Sequence, residues 1–134
     1  MKLTILVPCF NESENIDEFY KPTHSTLKKY QYTMIFINDG STDNSLQKIK
    51  FLSLKDNNIK YISLSRNFGH QNALKAGIDH CVSSDCVISL DVDLQHPPEL
   101  IDLLIDKWKE GYQIVNTIRT TNHDDSILKK LLSK

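Results

Sequence analysis

Residues 86–99 read CVISLDVDLQHPPE: an apolar run, Cys86 to Leu90, that opens directly onto two carboxylates, Asp91 and Asp93. A short apolar run bounded by turn-forming residues predicts a strand buried on both faces. In an extended backbone residues i and i+2 face the same side, so the two acids converge, and their repulsion is costly unless a cation lies near them. Hard oxygen ligands suit Mg²⁺ or Mn²⁺. Mg²⁺ takes one or two carboxylates and fills its shell with water and substrate phosphates, which makes a diphosphate the expected partner. The competing account makes Asp91 and Asp93 solvated turn residues, or caps of a helix whose first turn holds Pro97 and Pro98. A cap needs only one such acid, and it leaves the polar residues after the preceding runs unexplained.

Working outward, four further β-rich runs recur: Leu3 to Val7, Thr33 to Ile37, Ile59 to Leu64 and Gln113 to Ile118. Between the five lie stretches with apolar residues at three- and four-residue spacing, roughly 13–30, 42–55, 70–82 and 98–110, which predict helices. The order is βαβαβαβαβ. Apolar strands alternating with helices imply an α/β fold: a doubly wound, mostly parallel sheet with helices on both faces and right-handed crossovers. Ligands of such sheets bind beyond the carboxyl ends of the strands, so the residues that follow each run are the informative ones.

The first run leads into Pro8-Cys9-Phe10-Asn11-Glu12, where Pro8 is expected to end the strand ladder and Asn11 to cap the next helix. The second leads into Asn38-Asp39-Gly40-Ser41-Thr42-Asp43, a turn with several candidate caps and a well-placed acid. After the third comes Ser65-Arg66-Asn67-Phe68-Gly69-His70-Gln71, whose guanidinium can pair with phosphate. Each has a structural alternative: Pro8 as a strand stop, Asn11 and Asp39 as caps, Arg66 as a surface ion pair, Gln71 as a solvated helix residue. His70, His80, Cys81 and Cys86 fit no transition-metal spacing, and Trp108 with Leu100, Leu103 and Leu104 is expected to pack its helix against the sheet.

Composition excludes much else. The 134 residues suit one domain, and 16 Lys+Arg against 17 Asp+Glu give a net charge of −1, which offers no general attraction to nucleic acid or anionic membrane, so any anion must be held locally. Three cysteines without CxxC spacing argue against disulfides or a zinc site and for a reducing, cytoplasmic setting. No run approaches the ~20 apolar residues of a membrane span. The glycines, Gly40, Gly69, Gly77 and Gly111, form neither a dinucleotide fingerprint nor a P-loop.

Four stretches in this order, VPCFNESENI at 7–16, INDGSTDNS at 37–45, SRNFGHQNALKAGID at 65–79 and LDVDLQHPPELI at 90–101, resemble family 2 glycosyltransferases of the GT-A fold. The last two are the more specific, and they resemble the branch that transfers sugars to polyprenyl or dolichyl phosphate. The resemblance implies that Pro8, Asn11 and Glu12 line a nucleotide-sugar pocket and that Asp39 meets the base. It places Arg66 and Gln71 near the nucleotide or diphosphate, Asp91 near the ribose or donor sugar, and Asp93 on Mg²⁺ or Mn²⁺. It further implies a UDP- or GDP-linked donor, inversion, and a polyprenyl-phosphate acceptor at the inner face of the cell membrane, with peripheral membrane association as an expectation; apolar surface exposed where an acceptor-side part would pack is expected to drive homo-oligomerisation. Residues 1–118 would form the nucleotide-sugar-binding domain. Residues 119–134 resemble the opening of an acceptor-side region whose general base is expected beyond residue 134. The alternatives are a non-catalytic nucleotide-binding module that needs a partner, and a sugar nucleotidyltransferase. The latter is disfavoured because no Gly-rich, basic amino-terminal loop is present for a triphosphate.

Overall fold

The computed structural model of the chain describes residues 1–93 and 96–118, together with the backbone of 130–133. It divides into two compact units, Met1–Pro98 and Glu99–Lys134. In the first unit, β1 (Leu3–Cys9), β2 (Tyr32–Asn38), β3 (Ile59–Ser63) and β4 (Cys86–Ser89) alternate with α1 (Ile16–Leu27), α2 (Ser45–Lys55) and α3 (His70–Ile78). The sheet is wholly parallel, in the order β3-β2-β1-β4.

That order puts the switch in direction at β1. The crossovers through α1 and α2 carry the chain outward to β3; the one through α3 returns it to the far side of β1. Right-handed crossovers then set α1 and α2 on one face and α3 on the other. The register agrees, because Leu6 pairs with Ile35 and Val7 with Phe36, and successive side chains face opposite ways. Leu6, Ile35 and Ile37 pack with Ala73 of α3 and with Cys81. On the other face Phe19 of α1 meets Phe36 edge to face, with ring centroids 6.2 Å apart. Phe36 is fully buried, and truncating such an aromatic to Ala costs about 3–5 kcal/mol. Gly77 lets α3 approach closely: a Cβ there would lie 3.0 Å from both Leu6 and Ile37 side-chain atoms.

Three expectations need correction. Pro8 does not end the ladder; it lies inside β1, in register with Ile37. The Leu6 carbonyl accepts from Leu90 N–H and the Cys9 carbonyl from Asp39 N–H, so even positions of β1 face β4 and odd ones face β2. The missing Pro8 N–H therefore points past the end of β4, where no ladder bond is lost. Second, β4 is an edge strand whose residues alternate between buried and exposed, with Val87 42% exposed, so it is not buried on both faces. Only β1 and β2, the central pair, have that character.

Third, the run over 113–118 does not supply a fifth parallel strand. In the second unit, β5 (Val115–Ile118) pairs antiparallel with β6 (Lys130–Ser133), Val115 opposite Ser133. α4 (Leu100–Lys109) precedes them and buries Leu100, Ile101 and Ile105 on one side while Leu103 is half exposed. Trp108 is only partly buried. Pro97 and Pro98 precede α4 and lie outside it.

Candidate functional site

The carboxyl ends of β1, β2 and β4 and the loops that follow β1 and β3 frame a cleft of about 450 Å³ in the first unit. Pro8, Glu12, Asp39, Asp91 and Asp93 line it, together with Cys9, Phe10, Asn67, Gly69, His70 and Val92. Five of the eight sequence-predicted residues thus meet in one place. Asn11, Arg66 and Gln71 are not among the lining residues. Arg66 stacks its guanidinium over the Phe68 ring, 4.2 Å from the centroid, and Gln71 is an exposed residue in the first turn of α3.

The loops are held by polar side chains that bond across them. Asn11 has φ 51 and does not cap α1, whose N-cap is Asn15. Its side-chain oxygen instead accepts from the backbone N–H groups of Thr42 (2.8 Å) and Asp43 (3.3 Å), and its own N–H donates to Ser41 Oγ (3.0 Å). Glu12 N–H donates to Ser45 Oγ (2.9 Å), and the Glu12 carboxylate accepts from Asn15 Nδ2 (2.8 Å). The β1–α1 turn is therefore bonded onto the β2–α2 turn. Asp43 completes this junction by accepting from the N–H groups of Ser45 (2.9 Å) and Ser13 (3.2 Å). Burial alone would raise its carboxyl, but the bonds from Ser45 and Ser13 outweigh that and hold it at about 2.

The folded pKa thus lies below the ~3.9 of an unfolded aspartate, so the junction stabilises fully above that value and loses its contribution as pH falls towards about 2. Asp43→Asn is expected to lower the urea midpoint at neutral pH, with the gap to wild type closing between about pH 4 and 2. Denaturation curves across that range check it.

Asp39 is almost completely buried at the end of β2, and its two carboxylate oxygens accept from the N–H groups of Phe68 (2.8 Å) and Gly69 (3.1 Å). It thereby fixes the loop that leads into α3 and brings Gly69 and His70 to the cleft. Asp39→Ala would leave both N–H groups without this acceptor, at a cost of about 3–6 kcal/mol for two bonds to a charged group. Faster amide exchange at Phe68 and Gly69 is the expected signature.

Opposite this wall stand the paired acids. The extended conformation that would align them stops at Ser89, and Val92 and Asp93 lie in a turn. Convergence therefore does not come from strand alternation. The turn buries Val92 and leaves both carboxylates on the cleft, Asp93 the more exposed. His70 Nε2 is 4.0 Å from Asp91 Oδ1. Among the described residues no group of three or more His, Cys, Asp or Glu side chains gathers as a complete metal cage. Cys9, the thiol on the cleft, is pushed up to about 12 by burial and by the nearby Glu12 and Asp43 charges. Two carboxylate side chains suit a hard divalent ion that shares its shell with phosphate oxygens and water.

Cys9, Phe10, Asn67, Gly69, His70 and Val92 were not singled out as site residues from the sequence. They flank the predicted positions, and only the folded loops show that they share the cleft. Residues 119–129 and 134, in the stretch expected to open the acceptor-side region, lie outside the described residues.

A parallel, doubly wound sheet with a polar cleft beyond its carboxyl edge and two acids on that cleft agrees with the GT-A fold expected from the sequence. Residues 4–134 match the family described as Glycosyl transferase family 2. The chain belongs to that family. It is 41% identical over 132 residues to an uncharacterized glycosyltransferase, YkcC, of Bacillus subtilis, covering 97% of this chain and 41% of the relative. It is 44% identical over 132 residues to the bactoprenol glucosyl transferase of Shigella phage SfV, covering 97% of this chain and 43% of the relative. The chain thus spans well under half the length of these relatives. Among solved structures, the fold is similar to that of S. aureus TarS 1-349, with a TM-score of 0.65 at 22% identity, covering 82% of this chain and 33% of TarS 1-349. It is also similar to the mannosyltransferase PcManGT of Pyrobaculum calidifontis in complex with GDP-Man and Mn²⁺, with a TM-score of 0.67 at 16% identity, covering 90% and 35%.

Proposed function

We propose that residues 1–118 form the donor-binding part of an inverting glycosyltransferase, one that takes a sugar from a UDP- or GDP-linked donor and passes it to a polyprenyl phosphate. The observation that carries this reading is the meeting of Asp91 and Asp93 with Pro8, Glu12 and Asp39 around one cleft. Relatives named bactoprenol glucosyl transferase support the acceptor class. Structural neighbours in complex with UDP, UDP-GlcNAc and GDP-Man with Mn²⁺ support the donor class and a divalent ion.

In this reading Asp93 holds Mg²⁺ or Mn²⁺ and Asp91 faces the ribose or donor sugar, with His70 beside it. The ion supplies Lewis-acid neutralisation of the charge that develops on the departing nucleoside diphosphate. Asp39 keeps spare lone pairs for the base while its backbone bonds hold the loop. Pro8 and Glu12 form the wall against which the nucleotide lies. Asn11 acts through the junction it ties, and Arg66 and Gln71, which do not line the cleft in this structure, are assigned to the diphosphate. The acceptor oxygen attacks the anomeric carbon as the bond to the diphosphate breaks, on the opposite face. A phosphate acceptor, with a second pKa of ~6, is already largely ionised at neutral pH and needs little help from a base. Residues 119–134 would open the acceptor-side region, at the cytoplasmic face of a membrane.

Calorimetric titration of UDP, GDP and their sugar conjugates, with Mn²⁺ and then with EDTA, tests this. Tight binding of one base only with the metal supports the reading; metal-independent binding or none contradicts it. Metal-dependent binding without transfer of labelled sugar to polyprenyl phosphate would favour a binding module that works with a partner.

A further inference from the structure

The outer face of α2 bears two large apolar side chains that no other part of the first unit covers. Phe51 is 57% exposed and Leu54 is 85% exposed, while Ile49 and Leu52 on the opposite side are buried. At 3.6 residues per turn, positions 47, 50, 51, 54 and 55 share one face of the helix, and all five are exposed. Lys50 and Lys55 flank the apolar pair, and Lys55 Nζ lies 4.1 Å from the centre of the Phe51 ring. Residues 45–55 contain three lysines and no acid. Asp56, the next acid along the chain, is engaged elsewhere: its carboxylate accepts from Tyr20 OH (2.8 Å) and Asn58 N–H (2.9 Å). The face is thus apolar at its centre and cationic at its margins.

We propose that this face of α2 seats on an anionic lipid surface, with Phe51 and Leu54 entering the headgroup region and Lys50 and Lys55 pairing with lipid phosphates. An aromatic and a leucine between lysines is the arrangement that interfacial binding requires, apolar burial added to attraction for anionic headgroups. Charge complementarity selects this occupant over a second copy of the chain. A two-fold contact through the same face would set its lysines against their own equivalents, with no acid on the helix to receive them. The surface lies away from the donor cleft, so its role stands or falls independently of the donor reading.

Co-sedimentation with phosphatidylcholine vesicles, with and without phosphatidylglycerol, tests the proposal. The full chain should bind the anionic vesicles, weakly or not at all the neutral ones, and lose binding as salt rises. Each lysine near an anionic surface is worth about fivefold in partitioning, so Lys50→Glu with Lys55→Glu should lower binding at least tenfold. Phe51→Ser with Leu54→Ser should lower it comparably while leaving the circular-dichroism melt that of wild type, which separates lost docking from lost folding. Equal binding to both vesicle types, binding that persists in both variants, or no binding by wild type overturns the proposal. So does a wild-type dimer that the Phe51→Ser, Leu54→Ser variant dissolves, which would assign the face to a second copy.

Discussion

Asp93→Ala is expected to weaken metal-dependent nucleotide binding by about 100-fold or more while leaving the fold intact. Asp93 is exposed at the turn after β4, so its removal opens no cavity in the core. What the substitution takes away is half of the paired charge on the cleft, and charge on a bound metal is worth several kcal/mol to a diphosphate, each ~1.4 kcal/mol being tenfold. Titration of the preferred nucleotide with Mn²⁺ reads the loss directly. A circular-dichroism melt matching wild type shows that the loss is local. Unchanged affinity in the variant would remove Asp93 from the site.

Gly40→Ala is expected to destabilise the fold by several kcal/mol. Gly40 sits between β2 and α2 at φ 69, a region costly for a residue with a Cβ. Space is the more severe restriction. A Cβ there would lie 2.3 Å from the Arg66 carbonyl carbon and 2.4 Å from the Asn67 nitrogen, both backbone atoms. No side-chain rotation relieves that contact, so the loop after β3 must move, pulling Phe68 and Gly69 from their bonds to Asp39. Strain of about 1–2 kcal/mol with overpacking of about 1–3 gives a loss of about 2–5 kcal/mol. Urea denaturation of wild type and variant checks it. At Gly69, with φ 94 but nothing within 4 Å of a Cβ, the cost should be only that of the backbone conformation.

These two positions show how unevenly the sequence disclosed the molecule. The central strands were legible because β1 and β2 are apolar on both faces, and the helices between them fixed a parallel sheet. The run over 113–118 misled, because local composition carries no information about pairing direction, and Val115–Ile118 finds an antiparallel partner in Lys130–Ser133. Pro8 misled for a related reason: which neighbour a backbone N–H faces depends on where the adjacent strand ends. At the site, Asp91 and Asp93 announced themselves as charges at the end of an apolar run. Asn11 and Asp39 read from their residues as helix caps, and much of what they do is instead to hold neighbouring loops together, a task visible only once Thr42, Asp43, Phe68 and Gly69 are in place. Cys9, the last residue of β1, and His70, the first of α3, reach the cleft because of where those elements end and begin, which no spacing rule encodes.

The central claim is that a divalent ion and a nucleoside diphosphate meet at Asp91 and Asp93. Paramagnetic broadening of backbone amide signals by Mn²⁺, recorded on the isotope-labelled chain with UDP or GDP, locates the ion without reference to turnover. The account predicts loss of the Val92 and Asp93 signals first, then those of Gly69 and His70, with sharp signals at Lys2 and Ser84 on the opposite edge of the sheet. Broadening centred anywhere else, or the same pattern in Asp93→Ala, would contradict it.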